Sequence, residues 1–199
     1  MAKHLEYFNQ LYEQNDDPWS YADRWYEHRK RAICLSLLLH DQYKKGLELG
    51  CSNGIFSQQL AERCQHLVCI DANERAVYLA QQRLSSAAHV KILQKQLPDN
   101  FPEDHYDLIV ISEIGYYLTR NELLKLIDLC QRNLTDNGMI LLCHWRYPIE
   151  GFELNGETVH SLFKQEMKLG HYLRLNDKDF LIDVWTKHNN SLADQEGLV

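Results

Sequence analysis

The chain has 199 residues, of which 45% are hydrophobic and 25% charged, and a formal net charge of -7. That length holds one full α/β core, or a core with a small appendage, and the composition is ordinary for a globular domain. The acidic balance argues against nucleic acid as a partner, because such binding rests on Lys and Arg neutralising phosphates.

Residues 1–44 are aromatic-rich and read as helical, with a break at Asn15-Asp16-Asp17-Pro18, where proline and its predecessor disfavour helix. From residue 45 the pattern alternates strand and helix. Strands are predicted at Gly46–Leu49, Leu67–Asp71, Val90–Leu93, Tyr106–Ser112 and Met139–Trp145, and helices at Gly54–Cys64, Glu74–Ser85 and Arg120–Leu134. Thr119 with Glu122 forms a capping box for the last of these helices. Leu123, Ile127, Cys130 and Leu134 run down it as an apolar stripe, which is core. Asp136-Asn137-Gly138 is a turn into the next strand. A further helix is expected at Glu157–Met167, then two extended runs, His171–Leu175 and Phe180–Thr186, joined by the hairpin-like Asn176-Asp177-Lys178-Asp179. The tail from Asn189 is polar and expected to fray. The resulting division is a helical cap (1–44), a main domain (45–188) and a tail (189–199).

No apolar run approaches the roughly 20 residues of a membrane span, and Met1–Glu6 lacks the apolar core of a signal peptide. A cytoplasmic location without a membrane partner is the expectation. The six cysteines form no C-x-x-C pair and are expected to be reduced, mostly buried thiols. The ten histidines show no H-E-x-x-H arrangement, and no metal is expected.

The most informative stretch is Gly46-Leu47-Glu48-Leu49-Gly50-Cys51-Ser52-Asn53-Gly54-Ile55-Phe56. A short apolar run, two glycines and an immediate amphipathic helix make the opening strand–turn–helix of a doubly wound α/β fold. A nucleotide site then needs an acid at the end of the next strand, roughly 20 residues on, and Asp71 supplies it. A dinucleotide fingerprint would need glycine at Ser52 and Ile55, and no Lys-Ser or Lys-Thr pair closes a P-loop. Glu48 would repel a pyrophosphate but suits a ligand with cationic centres. The alternative is a glycine turn with a purely structural role.

Glu48-x-Gly50-x-x-x-Gly54 resembles the first motif of class I S-adenosylmethionine-dependent methyltransferases. Beyond it, Asp16-Asp17-Pro18-Trp19, the helix bearing Trp25-Tyr26-Glu27-His28-Arg29-Lys30, the segment Asp107–Leu118 and His144-Trp145-Arg146 are similar to the nodulation protein S family, from about Asp16 to Trp185. That family comprises bacterial methyltransferases, one of which N-methylates a de-N-acetylated chitooligosaccharide. The resemblance implies a Rossmann-like sandwich whose mostly parallel seven-stranded sheet ends in an antiparallel hairpin. It implies S-adenosyl-L-methionine as cofactor and a small-molecule acceptor, an amino sugar or other amine, with O-methylation of a hydroxyl or carboxylate as the alternative. Ser112-Glu113-Ile114-Gly115 replaces the Asn/Asp-Pro-Pro-aromatic run of enzymes that methylate nucleic-acid bases.

Residue roles follow from the strand ends, where open α/β sheets bind ligands. Asp71 would take the ribose hydroxyls, although a helix-start acid would also stabilise the following dipole. Gln96, standing where the family pattern has an acid before Leu97-Pro98, would contact adenine or be a surface loop residue. Trp19, Tyr26 and Arg29 would form a lid, with Arg29 on the methionyl carboxylate or simply solvated. Glu48, Gly50, Cys51, Gly54, Ala72, Leu97 and Ser112 complete the implied cofactor set. Glu113, His144 and Tyr116 are the catalytic candidates, with Tyr117, Trp145 and Arg146 beside them on the acceptor side, the aromatics being core packing in the alternative reading.

Overall fold

The apolar runs assemble into one seven-stranded sheet whose register brings the polar strand ends into a row. The computed structural model describes residues 2–188 and 190–199, with side chains from Leu5 onward. Helices α1 (Ala2–Gln14) and α2 (Trp25–Ser36) precede β1 (Tyr43–Leu49), α3 (Ile55–Ala61), β2 (Cys64–Asp71), α4 (Glu74–Arg83) and β3 (Val90–Gln94). There follow β4 (Tyr106–Ser112), a 3₁₀ turn (Gly115–Tyr117), α5 (Arg120–Arg132), β5 (Leu134–Trp145) and α6 (Gly156–Glu166). The chain ends with β6 (Gly170–Asn176), β7 (Phe180–Thr186) and α7 (Leu192–Gln195). The strand order is β3-β2-β1-β4-β5-β7-β6, parallel from β3 to β5, with β7 antiparallel to both its neighbours. This is the mostly parallel sheet with a terminal hairpin that the resemblance implies.

Helices cover both faces, so the central strands are apolar on both sides. Ile109, Ile111, Ile140 and Leu142 face the Leu123, Leu126, Ile127 and Cys130 stripe of α5. Their alternates Leu108, Val110, Met139 and Leu141 face Cys34 of α2, Leu60 of α3 and Ala80 of α4. The α5 capping box is present, with Thr119 and Glu122 bonded reciprocally. All six cysteines are free and buried. Among the described residues, no helix is long and apolar enough to cross a membrane.

Some boundaries differ from expectation for local reasons. β1 starts at Tyr43 because the Lys44 and Lys45 amides donate to the Asp107 carboxylate at 2.7 and 2.8 Å, holding polar residues in the ladder. α3 stops at Ala61 because Cys64 already pairs with Tyr43. The expected turn at Asp136-Asn137-Gly138 is an irregularity inside β5: Leu134 pairs with Tyr106, and pairing resumes at Met139 with Leu108. Part of the tail is a short helix, α7, capped by Ser191 and Asp194, while Asn189 lies outside the described residues.

Candidate active site

Strand order reverses at β1, whose neighbours are β2 and β4, so the loops leaving β1 and β4 diverge and open a crevice. Leu49 pairs with Ile70 on one side and Ile111 on the other, which lines up Gly50, Asp71 and Ser112 at the carboxyl edge. Gly50 has φ +80°, and a Cβ there would lie 2.0 Å from the Ile114 side chain, so no other residue fits. Ser52, itself left-handed at φ 51°, donates its amide to Asp71 Oδ2 at 2.9 Å, and Asn73 donates to Oδ1 at 2.9 Å. Each Asp71 oxygen keeps accepting capacity for a further donor. Burial raises the Asp71 carboxyl above its usual range.

Two joined cavities lie over this edge. The larger has an empty volume of ≈ 920 Å³ and is lined by Trp19, Gly50, Asp71, Ala72, Gln96, Leu97, Ser112 and Glu113, all expected there, and by the unexpected Leu5, Phe8, Tyr12 and Tyr21. The smaller, ≈ 410 Å³, shares Tyr21, Gly50, Ser52, Ser112 and Glu113 with it and adds Glu27, Lys30, Arg31, Glu48 and Cys51. Burial pushes the Glu48 carboxyl up to about 7, against a hydrogen bond from the Ser57 hydroxyl. The N-terminal segment forms the roof. Tyr12 shares a 2.5 Å hydrogen bond with Ser52, Phe8 meets Tyr117 edge-on at 4.7 Å, and Arg75 forks onto Asp16 at 2.9 Å.

The residues fit a cofactor with a free carboxylate. Arg31 is 5% exposed, lines the smaller cavity, and its Nε and Nη1 have no hydrogen-bond partner. A buried guanidinium with orphaned donors is costly unless something anionic meets it. Burial lowers the Arg31 pKa, opposed by Glu27, whose nearer oxygen is 3.9 Å away.

Glu113 closes the far end. It follows β4 with φ 59°, a left-handed conformation that costs a residue with a Cβ and is held by its surroundings. Lys30 Nζ donates to Oε1 at 2.6 Å, while the Tyr116 hydroxyl and the Trp145 amide donate to Oε2 at 2.5 and 2.8 Å. Three separate elements thus aim one carboxylate, and it lines both cavities.

Several expected roles are corrected. His144 is fully buried and lines neither cavity. The Gly115 amide donates to its Nε2 at 2.9 Å, which puts its proton on Nδ1, facing His160 Nε2 at 3.3 Å. His160 donates from Nδ1 to Asp183 at 2.6 Å, and His171 donates to the other Asp183 oxygen at 2.6 Å. With burial holding its pKa well below the usual value, His144 has no free lone pair for an acceptor. Tyr116 also stays off the cavity walls and acts through Glu113. Arg29 turns out to solvent, 44% exposed, and pairs with Asp177 at 2.7 Å. Arg146 pairs with Glu157 and the Asp177 carbonyl. Gly54 lines neither cavity; at φ +80° it brings α3 within 2.9 Å of α4, measured from an added Cβ to Ala80 Cα. Tyr26 packs edge-on against Trp145 at 5.6 Å behind the cavity wall.

Comparison with known proteins agrees with this fold. Residues 7–176 match the model of the family described as nodulation protein S. Nodulation protein S of Rhizobium tropici is 34% identical over 104 residues, 52% of this chain and 44% of that protein. The chain thus spans about half the length of the curated relatives it matches. A candidate methyltransferase from Pseudomonas syringae is 41% identical with a TM-score of 0.73, over 81% of this chain and 99% of that one. The N-methyltransferase NodS from Bradyrhizobium japonicum WM9, crystallised with S-adenosyl-L-homocysteine, is 26% identical with a TM-score of 0.83, over 92% and 97% of the two chains.

Proposed function

The chain belongs to the nodulation protein S family, and on that premise we propose that it is an S-adenosyl-L-methionine-dependent methyltransferase acting on a nitrogen of a small acceptor, an amino sugar or related amine. One observation carries the reading. The larger cavity runs from the Asp71 carboxylate to the Glu113 carboxylate, and the smaller one, which shares Gly50 and Glu113 with it, has the orphaned Arg31 guanidinium in its wall.

When bound, the cofactor supplies an electrophilic methyl group on a sulfonium. The residues of this chain hold and shield it. Asp71 would receive the ribose hydroxyls, Gln96 and Leu97 would border the adenine, and Arg31 would take the methionyl carboxylate in place of the solvent-facing Arg29. Glu48, Gly50, Cys51 and Ser52, which line the smaller cavity, would stand beside the methionyl end. Residues 1–44 act as a cap, in which Phe8, Tyr12, Trp19 and Tyr21 keep water from the transfer site. Glu113 accepts hydrogen bonds from the acceptor and orients its lone pair, with Tyr116 and the His144–Gly115 contact fixing Glu113 in place. An amine needs positioning more than it needs a base, which suits a carboxylate already bonded by three donors. The reaction belongs in the cytoplasm, where the cofactor is made available.

Calorimetry with S-adenosyl-L-homocysteine, followed by transfer of labelled methyl to a glucosamine oligomer, tests this. The expected result is binding, and label in the free-amine oligomer with none in its fully N-acetylated counterpart, whose amide nitrogen lacks an available lone pair. Absence of binding would overturn the assignment. Label in the N-acetylated oligomer would establish O-methylation instead.

A further inference from the structure

Among the described residues, Lys30 is the one cation in direct contact with the acceptor-facing carboxylate. It is 4% exposed, with its ammonium 2.6 Å from Glu113, 3.1 Å from Glu27 and 5.0 Å above the Tyr26 ring. We infer that Lys30 is a specificity-determining residue: it cancels the charge at the Glu113 end of the cavity, so the site takes a weakly basic amine in its uncharged form and rejects alkylammonium acceptors. The inference rests on the amine reading above and sharpens its substrate class.

The charge count supports it. Two carboxylates, Glu27 and Glu113, meet two cations, Lys30 and Arg31. Lys30 keeps its proton: burial is the largest single influence and opposes the charge, but Glu113, together with Cys143, Glu27 and Tyr26, outweighs it. Asp17 also acts on Arg31 and Glu48 lines the same cavity, but neither is paired with Lys30 or Glu113, whose remaining titratable neighbours are neutral. Burial holds the Tyr21, Tyr26, Tyr116 and Tyr117 hydroxyls and the Cys143 thiol well above neutrality, and lowers His160. A lone carboxylate in such a wall would draw in a cation. A carboxylate already matched by an ammonium offers an incoming cation little net attraction, yet the cation would still lose its hydration. The acceptor therefore gives its proton to bulk water before it enters. At pH 7 an amine near the α-amino reference of about 7.7–8.0 is roughly a tenth to a sixth uncharged, against about one part in 2,500 for a lysine-like amine near 10.4. Amino-sugar nitrogens, next to oxygen-bearing carbons, belong to the first class and polyamines to the second.

The test compares kcat and KM for a single-amine glucosamine disaccharide and for cadaverine, with S-adenosyl-L-methionine, in wild type, Lys30→Met, Lys30→Arg and Glu27→Gln. Wild type should favour the disaccharide by about 10²-fold in kcat/KM, following the uncharged fractions. Lys30→Met should lower KM for cadaverine at least tenfold, and Lys30→Arg should restore the wild-type ratio. Glu27→Gln leaves the cluster with an excess positive charge and should raise KM for cadaverine. A merely structural role moves both variants the same way, so opposite shifts distinguish the two even if Lys30→Met is less stable. Shifts in the same direction, or a wild type that prefers cadaverine, would overturn the inference while leaving N-methylation standing. Normal S-adenosyl-L-homocysteine binding without transfer to either amine would overturn the amine reading and this inference together.

Discussion

Two buried polar clusters stand at neighbouring strand ends and differ in whether their hydrogen bonds close. Around His144, every hydrogen bond is answered in sequence, from the Gly115 amide through His144 and His160 to Asp183, which His171 also bonds. Around Glu113 and Arg31, charges are aimed at a cavity and two guanidinium nitrogens are left without partners. The same residue types thus do opposite work. A closed network fixes the fold, whereas an open one costs stability and is retained because a ligand completes it.

The largest effect separating the two should come from the closed network. Asp183→Ala strands His160 and His171, and unfolding free energy measured in urea should fall by about 3–5 kcal/mol, as for two hydrogen bonds to a charged acceptor. Affinity for S-adenosyl-L-homocysteine should stay within about twofold, because Asp183 lines neither cavity. A large loss of affinity in a folded variant would erase the distinction.

Next comes the pH dependence of Glu48. Its folded pKa of about 7 lies above the unfolded reference near 4.3, so the folded state binds the extra proton. The associated stability is complete below the unfolded value and is lost as pH rises through about 7. Urea unfolding of the ligand-free protein should therefore lose on the order of 3 kcal/mol between pH 4.5 and 8 relative to Glu48→Gln. Parallel curves for the two proteins would show that Glu48 titrates normally.

Arg31→Met should reduce affinity for S-adenosyl-L-homocysteine by roughly 10- to 150-fold, the worth of a charged hydrogen bond, without lowering stability. Its Nε and Nη1 make no hydrogen bond in the ligand-free fold, and its ion pair with Glu27 is long, at 3.9 Å. Equal losses in binding and stability would move Arg31 into the closed class. Gln96→Ala should cost least, about 0.5–1.5 kcal/mol in the same titration, as for a neutral hydrogen bond. No change would make Gln96 a surface loop residue.

The crevice proposed for the cofactor was legible because its signals are local. The Gly50–Gly54 turn and Asp71 are set by one strand–turn–helix and the next strand, and backbone conformation at Gly50 demands glycine. The acceptor half was legible only in part: Glu113 and Trp145 stand out at strand ends, but their link to Lys30 does not, because the three come from elements far apart in sequence. Arg29 and Arg31 differ in helix phase: two residues is about 200° around the axis, so only one of them can face the core, and it is Arg31. Glu27, Lys30, Arg31 and Cys34 stand at spacings of three and four and form the buried face of α2. Their charges masked the stripe that apolar residues would have revealed. His144 defeated the reading differently. Helices cover both faces of β5, so alternation along the strand carries no sign of which side chain meets the cavity.

A crystal structure with S-adenosyl-L-homocysteine tests the open-versus-closed account most directly. The account predicts the ribose hydroxyls on Asp71, the carboxylate on Arg31 Nε and Nη1, and the sulfur facing the Glu113 end, with the Gly115 amide still bonded to His144 Nε2. A ligand whose carboxylate lies away from Arg31, or a His144 ring released from Gly115 and turned toward the sulfur, would contradict it.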